Sequence, residues 1–173
     1  MNKTIALITV ILVATLGFYL IKTSPFSSSK TAENTPLQQV SGSSISFDPA
    51  MINLTLGQQA TVNIQLDPDK LSVAAVTISL SYDPTLLKIV SLKNGTMFTN
   101  ILSSAKIQNG KATLSVATPP DSKGESLAGT VATVTVQSLS NKASNISFNT
   151  DTMAVALEQD GNILKNIGTL KVN

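Results

Sequence analysis

The chain has 173 residues, a length that suits one domain with appendages and that can bury a core without covalent staples. It contains no Cys, His, Trp or Arg; its twelve basic residues are all Lys, set against ten acidic ones. These absences exclude disulfides, thiolate and imidazole metal sites and every nucleophile–His arrangement, and scattered Lys with few aromatics is a weak basis for nucleic-acid binding.

Lys3 and Lys22 flank the first apolar segment, and from residue 30 onward ten Lys balance ten acidic residues. The net charge of +2 therefore belongs to the N-terminal segment, and the remainder is neutral in sum. That segment, Thr4 to Ile21, reads TIALITVILVATLGFYLI, eighteen residues without a charge. As a helix it would span about 27 Å, close to a hydrocarbon core of about 30 Å. Residues 1–22 are expected to form a membrane anchor or an exported signal segment. The anchor is the better reading, because the apolar run exceeds the usual signal core of about 7–15 residues and no A-x-A cleavage site follows. In either case the rest of the chain is expected outside the membrane, or secreted if the segment is cleaved. Residues 23–43, rich in Ser and Thr with Pro25 and Pro36, have no apolar period and read as a linker.

From Ser44 to the C-terminus, short β-rich segments recur between turn signals. SISFD and MINLTL surround Asp48-Pro49, and ATVNIQL ends at Asp67-Pro68-Asp69. VAAVTISLSY is followed by LLKIVSL, which runs to Asn94-Gly95. SAKIQ and KATLSVA are joined by Asn109-Gly110, the strongest hairpin signal in the chain. GTVATVTVQSL, NISFN, MAVALE and GTLKV complete the set. Apolar and polar residues alternate: Val62, Ile64 and Leu66 share one face, and Val76, Ile78, Leu80 and Tyr82 another. Period two with one polar face means antiparallel sheets packed on one side. The expected fold is all-β: a sandwich of jelly-roll type with about nine antiparallel strands over residues 44–173, preceded by the N-terminal helix.

Tyr82-Asp83-Pro84 interrupts an otherwise apolar run. Pro84 has no N–H and presses Asp83 into an extended conformation, so the chain is expected to turn here and restart burial at Leu86 and Leu87. The stretch VAAVTISLSYDPTLLKIVSLKNG resembles the diagnostic region of cohesin domains: a long strand ending in Tyr82, Asp83 and Pro84, then Leu87, then β-branched Ile89 and Val90, then a turn at Gly95. SLAGTVATVTVQSLS and NISFNTDTMAVALEQDGNIL are similar to that family's later strands, with Val134 and Val136 where the family usually has Phe. The resemblance covers residues 44–172. It implies a non-catalytic binding module docking a dockerin-type protein partner through one sheet face, in a setting of polysaccharide binding or breakdown; from the residues themselves no cofactor or metal is expected. The rival readings are a carbohydrate-binding or adhesion module and a structural surface domain. The resemblance carries over no motif for partner choice; the positions offered here are Ala75, Thr77 and Ser79, taken as the exposed face of the strand before Tyr82.

Other candidate sites have ordinary explanations. Tyr82 is expected to be a core ring with its hydroxyl bonded at the sheet corner, not a sugar platform. Asp83 is expected to cap turn N–H groups. Asp67, Asp69, Asp121 and Glu125 lack any calcium-loop spacing and read as solvated turn acids. Asp151, Glu158 and Asp160 carry no sign of a glycosidase pair. Asn53, Asn94 and Asn145 begin glycosylation sequons, a pattern common by chance.

Overall fold

Alternate residues of each long segment are apolar, so each can form a strand only if a second sheet covers its apolar face. A computed structural model describes residues 42–173 and shows this arrangement: twelve strands in two facing sheets. The expected anchor and the linker up to residue 41 lie outside the described residues. Ser43 is buried, and its hydroxyl donates to the Pro68 carbonyl at 2.8 Å. Among the described residues no helix is long and apolar enough to cross a membrane.

One sheet has the order β11 (Asn166–Ile167), β1 (Ser44–Asp48), β3 (Gln59–Asp67), β8 (Gly129–Ser138), β5 (Leu87–Asn94). The other has the order β2 (Met51–Ile52), β12 (Thr169–Val172), β9 (Ser144–Phe148), β4 (Val73–Tyr82), β7 (Lys111–Ala117), β6 (Asn100–Gln108), with β10 (Met153–Ala156) also on β4. Two of the three strands beyond the expected nine arise because each terminal segment contributes one piece to each sheet, and the third is the short β10 beside β4. The chain crosses from one sheet to the other between β1 and β2, and again between β11 and β12. These segments cross side by side, so β1 pairs with β11 and β2 with β12 in parallel, which the expectation of purely antiparallel sheets did not include. Gly168 N–H donates to Ile45 O at 2.8 Å and Lys171 N–H to Ala50 O at 2.9 Å, tying the two crossings together. The sandwich is closed along this side and ends in two edge strands, β5 and β6, on the other.

The core is the inward set of both sheets. Ile45, Ile64, Ile78, Leu80, Val134, Val136, Ile146 and Leu170 are fully enclosed, and Phe47 stacks on Phe148 with ring centroids 4.6 Å apart. Burying each such aliphatic side chain contributes about 1.5–3 kcal/mol relative to leaving it in water. Bulges adjust the pattern where strict alternation would misplace a residue. Val131 is skipped in the β3–β8 register, so that Val131 and Ala132 are both buried. Val90 is skipped between β5 and β8 and is turned outward at 41% exposure.

Gly95 is needed for a close approach. A Cβ there would overlap the Thr130 carbonyl oxygen, while Gly95 N–H donates to Val131 O at 2.8 Å. Gly95→Ala should lower stability by about 1–3 kcal/mol, the usual range for overpacking. The urea midpoint reads this; an unchanged midpoint would show that the two backbones separate here without cost.

Candidate functional site

The Tyr82-Asp83-Pro84 corner is built as the residue types dictate. Asp83 Oδ1 accepts from the Thr85 N–H at 2.9 Å and from the Thr85 hydroxyl at 2.6 Å. Asp83 O accepts from Leu87 N–H at 2.9 Å, and Leu87 is buried at the start of β5. The Thr85 hydroxyl first, and then its N–H, hold the Asp83 carboxyl below its ordinary value. The Tyr82 hydroxyl donates to Gln108 O at 3.0 Å, the corner bond expected of it. The ring is half-buried rather than fully enclosed, because it ends its strand beside an open groove lined also by Pro84, Ile107 and Leu139.

The two outer faces of the sandwich differ in chemistry. On the five-stranded sheet, Thr61 and Thr135 share a hydroxyl hydrogen bond at 2.9 Å, and Gln65 Nε2 donates to Thr130 Oγ1 at 3.0 Å. Asn63, Thr133, Lys93 and Lys88 continue this polar, solvated surface. On the seven-stranded sheet, β10, β4, β7 and β6 place their outward residues in rows. Val155, Ala75, Ala117 and Asn100 form one row. Met153, Thr77, Ser115 and Ser103 form the next. Below them lie Thr113 and Lys106, then Ser81, Lys111 and Gln108. The upper two rows are small, uncharged and partly apolar, with Met153 at 38% and neighbouring Leu102 at 66% exposure. The one side-chain hydrogen bond within them is Thr77 to Ser115 at 3.0 Å.

Ala75 and Thr77 thus stand on this face, but Ser79 does not stand exposed on it. It is 0% accessible. The strand after residue 143 bulges at Asn149–Thr152 and folds over it. Ser79 O accepts from Asn149 N–H at 2.7 Å and from the Thr152 hydroxyl at 2.9 Å, and that hydroxyl accepts from Ser79 N–H at 3.1 Å. Alternation in β4 predicts the side of Ser79 correctly, but Thr152, in the segment between β9 and β10 and 73 positions away, covers it. The positions missed by sequence reading, Met153, Val155, Ser115 and Ala117, have no local signal. The Asn109-Gly110 turn, where Gly110 has φ 82°, does pair Gln108 with Lys111 and so fixes which residues of β6 and β7 are neighbours.

The remaining acids are dispersed. Asp67 Oδ1 accepts from Asp69 N–H at 3.0 Å, Glu158 Oε2 accepts from Ser72 N–H at 3.1 Å, and Asp151 pairs with Lys111 at 2.8 Å. Among the described residues no three His, Cys, Asp or Glu side chains converge as metal ligands. Asp151 and Glu158 are separated by most of the length of β4, so the carboxylate pair of a glycosidase is not assembled. Of the sequon asparagines, Asn94 is committed inward, its amide donating to Phe98 O at 2.7 Å. The fold also sorts charge along its long axis. Asp67, Asp69, Asp121, Glu125, Glu158 and Asp160 lie with four Lys at the end where β4 begins. Lys88, Lys106, Lys111, Lys142 and Lys171 lie with three Asp toward the end where it finishes.

The described residues thus form a two-sheet sandwich with one weakly polar outer face of small side chains. The cohesin-domain family model matches residues 53–172, and the chain belongs to that family. Cohesin domains are non-catalytic protein-docking modules. Solved structures agree in fold. A type II cohesin from the cellulosome of Acetivibrio cellulolyticus is 19% identical with a TM-score of 0.62, covering 76% of this chain and 94% of its own. A cohesin–dockerin complex from Clostridium thermocellum gives 17% and 0.60, covering 76% and 98%. A non-cellulosomal cohesin from the archaeon Archaeoglobus fulgidus gives 18% and 0.58, covering 76% and 91%. No curated protein matches the chain.

Two substitutions test the corner. Tyr82→Phe keeps the ring and removes the bond to Gln108, and should cost about 1 kcal/mol in urea unfolding. For Asp83 the sign follows from linkage. Its folded carboxyl is more acidic than the unfolded one, so its contribution is complete above the ordinary carboxylate range and is lost as pH falls through the folded pKa. Asp83→Asn should therefore flatten the loss of stability on acidification; an unaltered pH profile would show that the Thr85 bonds do not distinguish the charged form.

Proposed function

We propose that this chain is a membrane-tethered docking module whose β domain lies outside the cell and binds a dockerin-type module of a partner protein. The binding surface in this reading is the outer face of β10, β4, β7 and β6, centred on Ala75 and Thr77. The observation that carries it is the contrast between the two outer faces. One is a surface of longer polar and charged side chains, Asn63, Gln65, Lys88 and Lys93 among its threonines. The other offers small side chains in flat rows, where a partner can approach the backbone closely and displace little bound water. Family membership supports a protein partner, as do related cohesins whose structures were solved with dockerins. The uncharged segment at residues 4–21 supports the tether, and the cellulosomal origin of the Acetivibrio cellulolyticus type II cohesin supports a link to polysaccharide breakdown.

The test is a calorimetric titration of the domain with dockerin modules encoded in its own genome, beside a pull-down on insoluble glucan. A saturable one-to-one titration is expected. Ala75→Arg should weaken it by about a hundredfold or more, as for the centre of an interface, without moving the melting temperature. Thr133→Arg on the opposite sheet should leave it unchanged. Retention on glucan with no dockerin bound would sink the docking reading and favour a carbohydrate module.

A further inference from the structure

The proposed docking face is not uniform along its length. Its last two rows contain Thr113 and Lys106, then Lys111 and Gln108, and these four residues line an open depression of about 200 Å³. Lys106 is opposite Thr113 and Lys111 opposite Gln108, so the two lysines are diagonal neighbours on adjacent strands, about 7–8 Å apart between Cα atoms. Lys106 has no carboxylate partner among the described residues. Lys111 is held by Asp151 of the bulge at 2.8 Å, with the two side chains 42% and 62% exposed. Thr113 supplies a hydroxyl and Gln108 an amide beside them. The depression thus gathers two ammonium groups and two neutral donors, the set that receives one carboxylate.

We infer that this corner, between Lys106 and Lys111, receives an Asp or Glu side chain of the docked partner and thereby fixes which way round the partner lies on the face. The inference rests on the docking reading above. Asp151 is the internal occupant: an ion pair this exposed is weak, and an incoming carboxylate can replace it on Lys111. The remainder of the face selects a single local carboxylate over an acidic polymer. The rows above the corner contain no cation, and the far end of β4 is flanked by Glu125 and Glu158, at an end where six acids outnumber four lysines, which disfavours a polyanion laid along the strands. A partner turned end for end would place its acid against those carboxylates, so the face is directional.

The experiment uses a dockerin that titrates wild-type protein, comparing wild type, Lys106→Glu/Lys111→Glu and Asp151→Asn by surface plasmon resonance at low and high salt. The double reversal should lower affinity by about tenfold or more, chiefly in the association rate, and should reduce its salt dependence. Asp151→Asn should raise affinity several-fold, because it removes the competitor; a merely structural ion pair would give a loss instead. Wild-type binding that the double reversal leaves intact overturns the inference and spares the docking reading. Absence of any dockerin binding by wild type overturns both. Binding to polygalacturonate that only the double reversal abolishes would assign the corner to uronic acids and overturn the peptide carboxylate.

Discussion

The domain depends on β4 holding Val76, Ile78 and Leu80 in the gap between the sheets. β4 pairs with β7 along most of its length and, on its other side, with β10 and then β9. Side chains alternate with period two, so a slip of one residue would exchange that set for Ala75, Thr77 and Ser79. The core would then receive an alanine, two hydroxyls and no large apolar group. The same register that fills the core aligns Val155, Ala75 and Ala117, then Met153, Thr77 and Ser115, on the outside. Core and binding face are two sides of one constraint.

The closed side of the sandwich and its open side follow from where the chain changes sheets. The terminal segments cross together, so neither leaves a long unpaired edge there. On the open side β5 and β6 are edge strands, which invite pairing with other chains. Bulges interrupt both, and β6 has two, around Ser103, with Lys106 just after the second. Its residues are nearly all exposed. β6 is therefore a poor template for strand addition yet a good source of side chains for the adjoining face.

Charge shows how much depends on three-dimensional placement. From residue 30 onward the sequence is neutral in sum, which by itself suggests no electrostatic role. The turns at one end of the sandwich collect most of the acids, and the strand ends and turns at the other collect most of the lysines. β4 is ten residues long, so the two groups lie about 30 Å apart, well beyond the screening length of about 8–10 Å at physiological salt. A partner meets each end separately.

Local chemistry made much of this protein legible from its residues alone. Alternation located β4 and β7 at their observed limits, Val73–Tyr82 and Lys111–Ala117. Pro84 and Asp83 defined the corner, because a fixed φ and a short carboxylate act on near neighbours. Asn109-Gly110 defined the hairpin for the same reason. Gly95 sits at a turn signal, but its need is for contact with Thr130, thirty-five positions away. Ser79 has the period of an exposed position, and Thr152 covers it. Val131 and Val90 sit at bulges that strict alternation does not contain. In each of these cases the deciding neighbour comes from a segment distant in sequence, brought close only when two apolar faces meet. Strand existence, turn position and the family were properties of the sequence itself, since period and turn chemistry act over a few residues. Which outward residues share a face, which are covered and where the charges gather were decided by the packing of the two sheets.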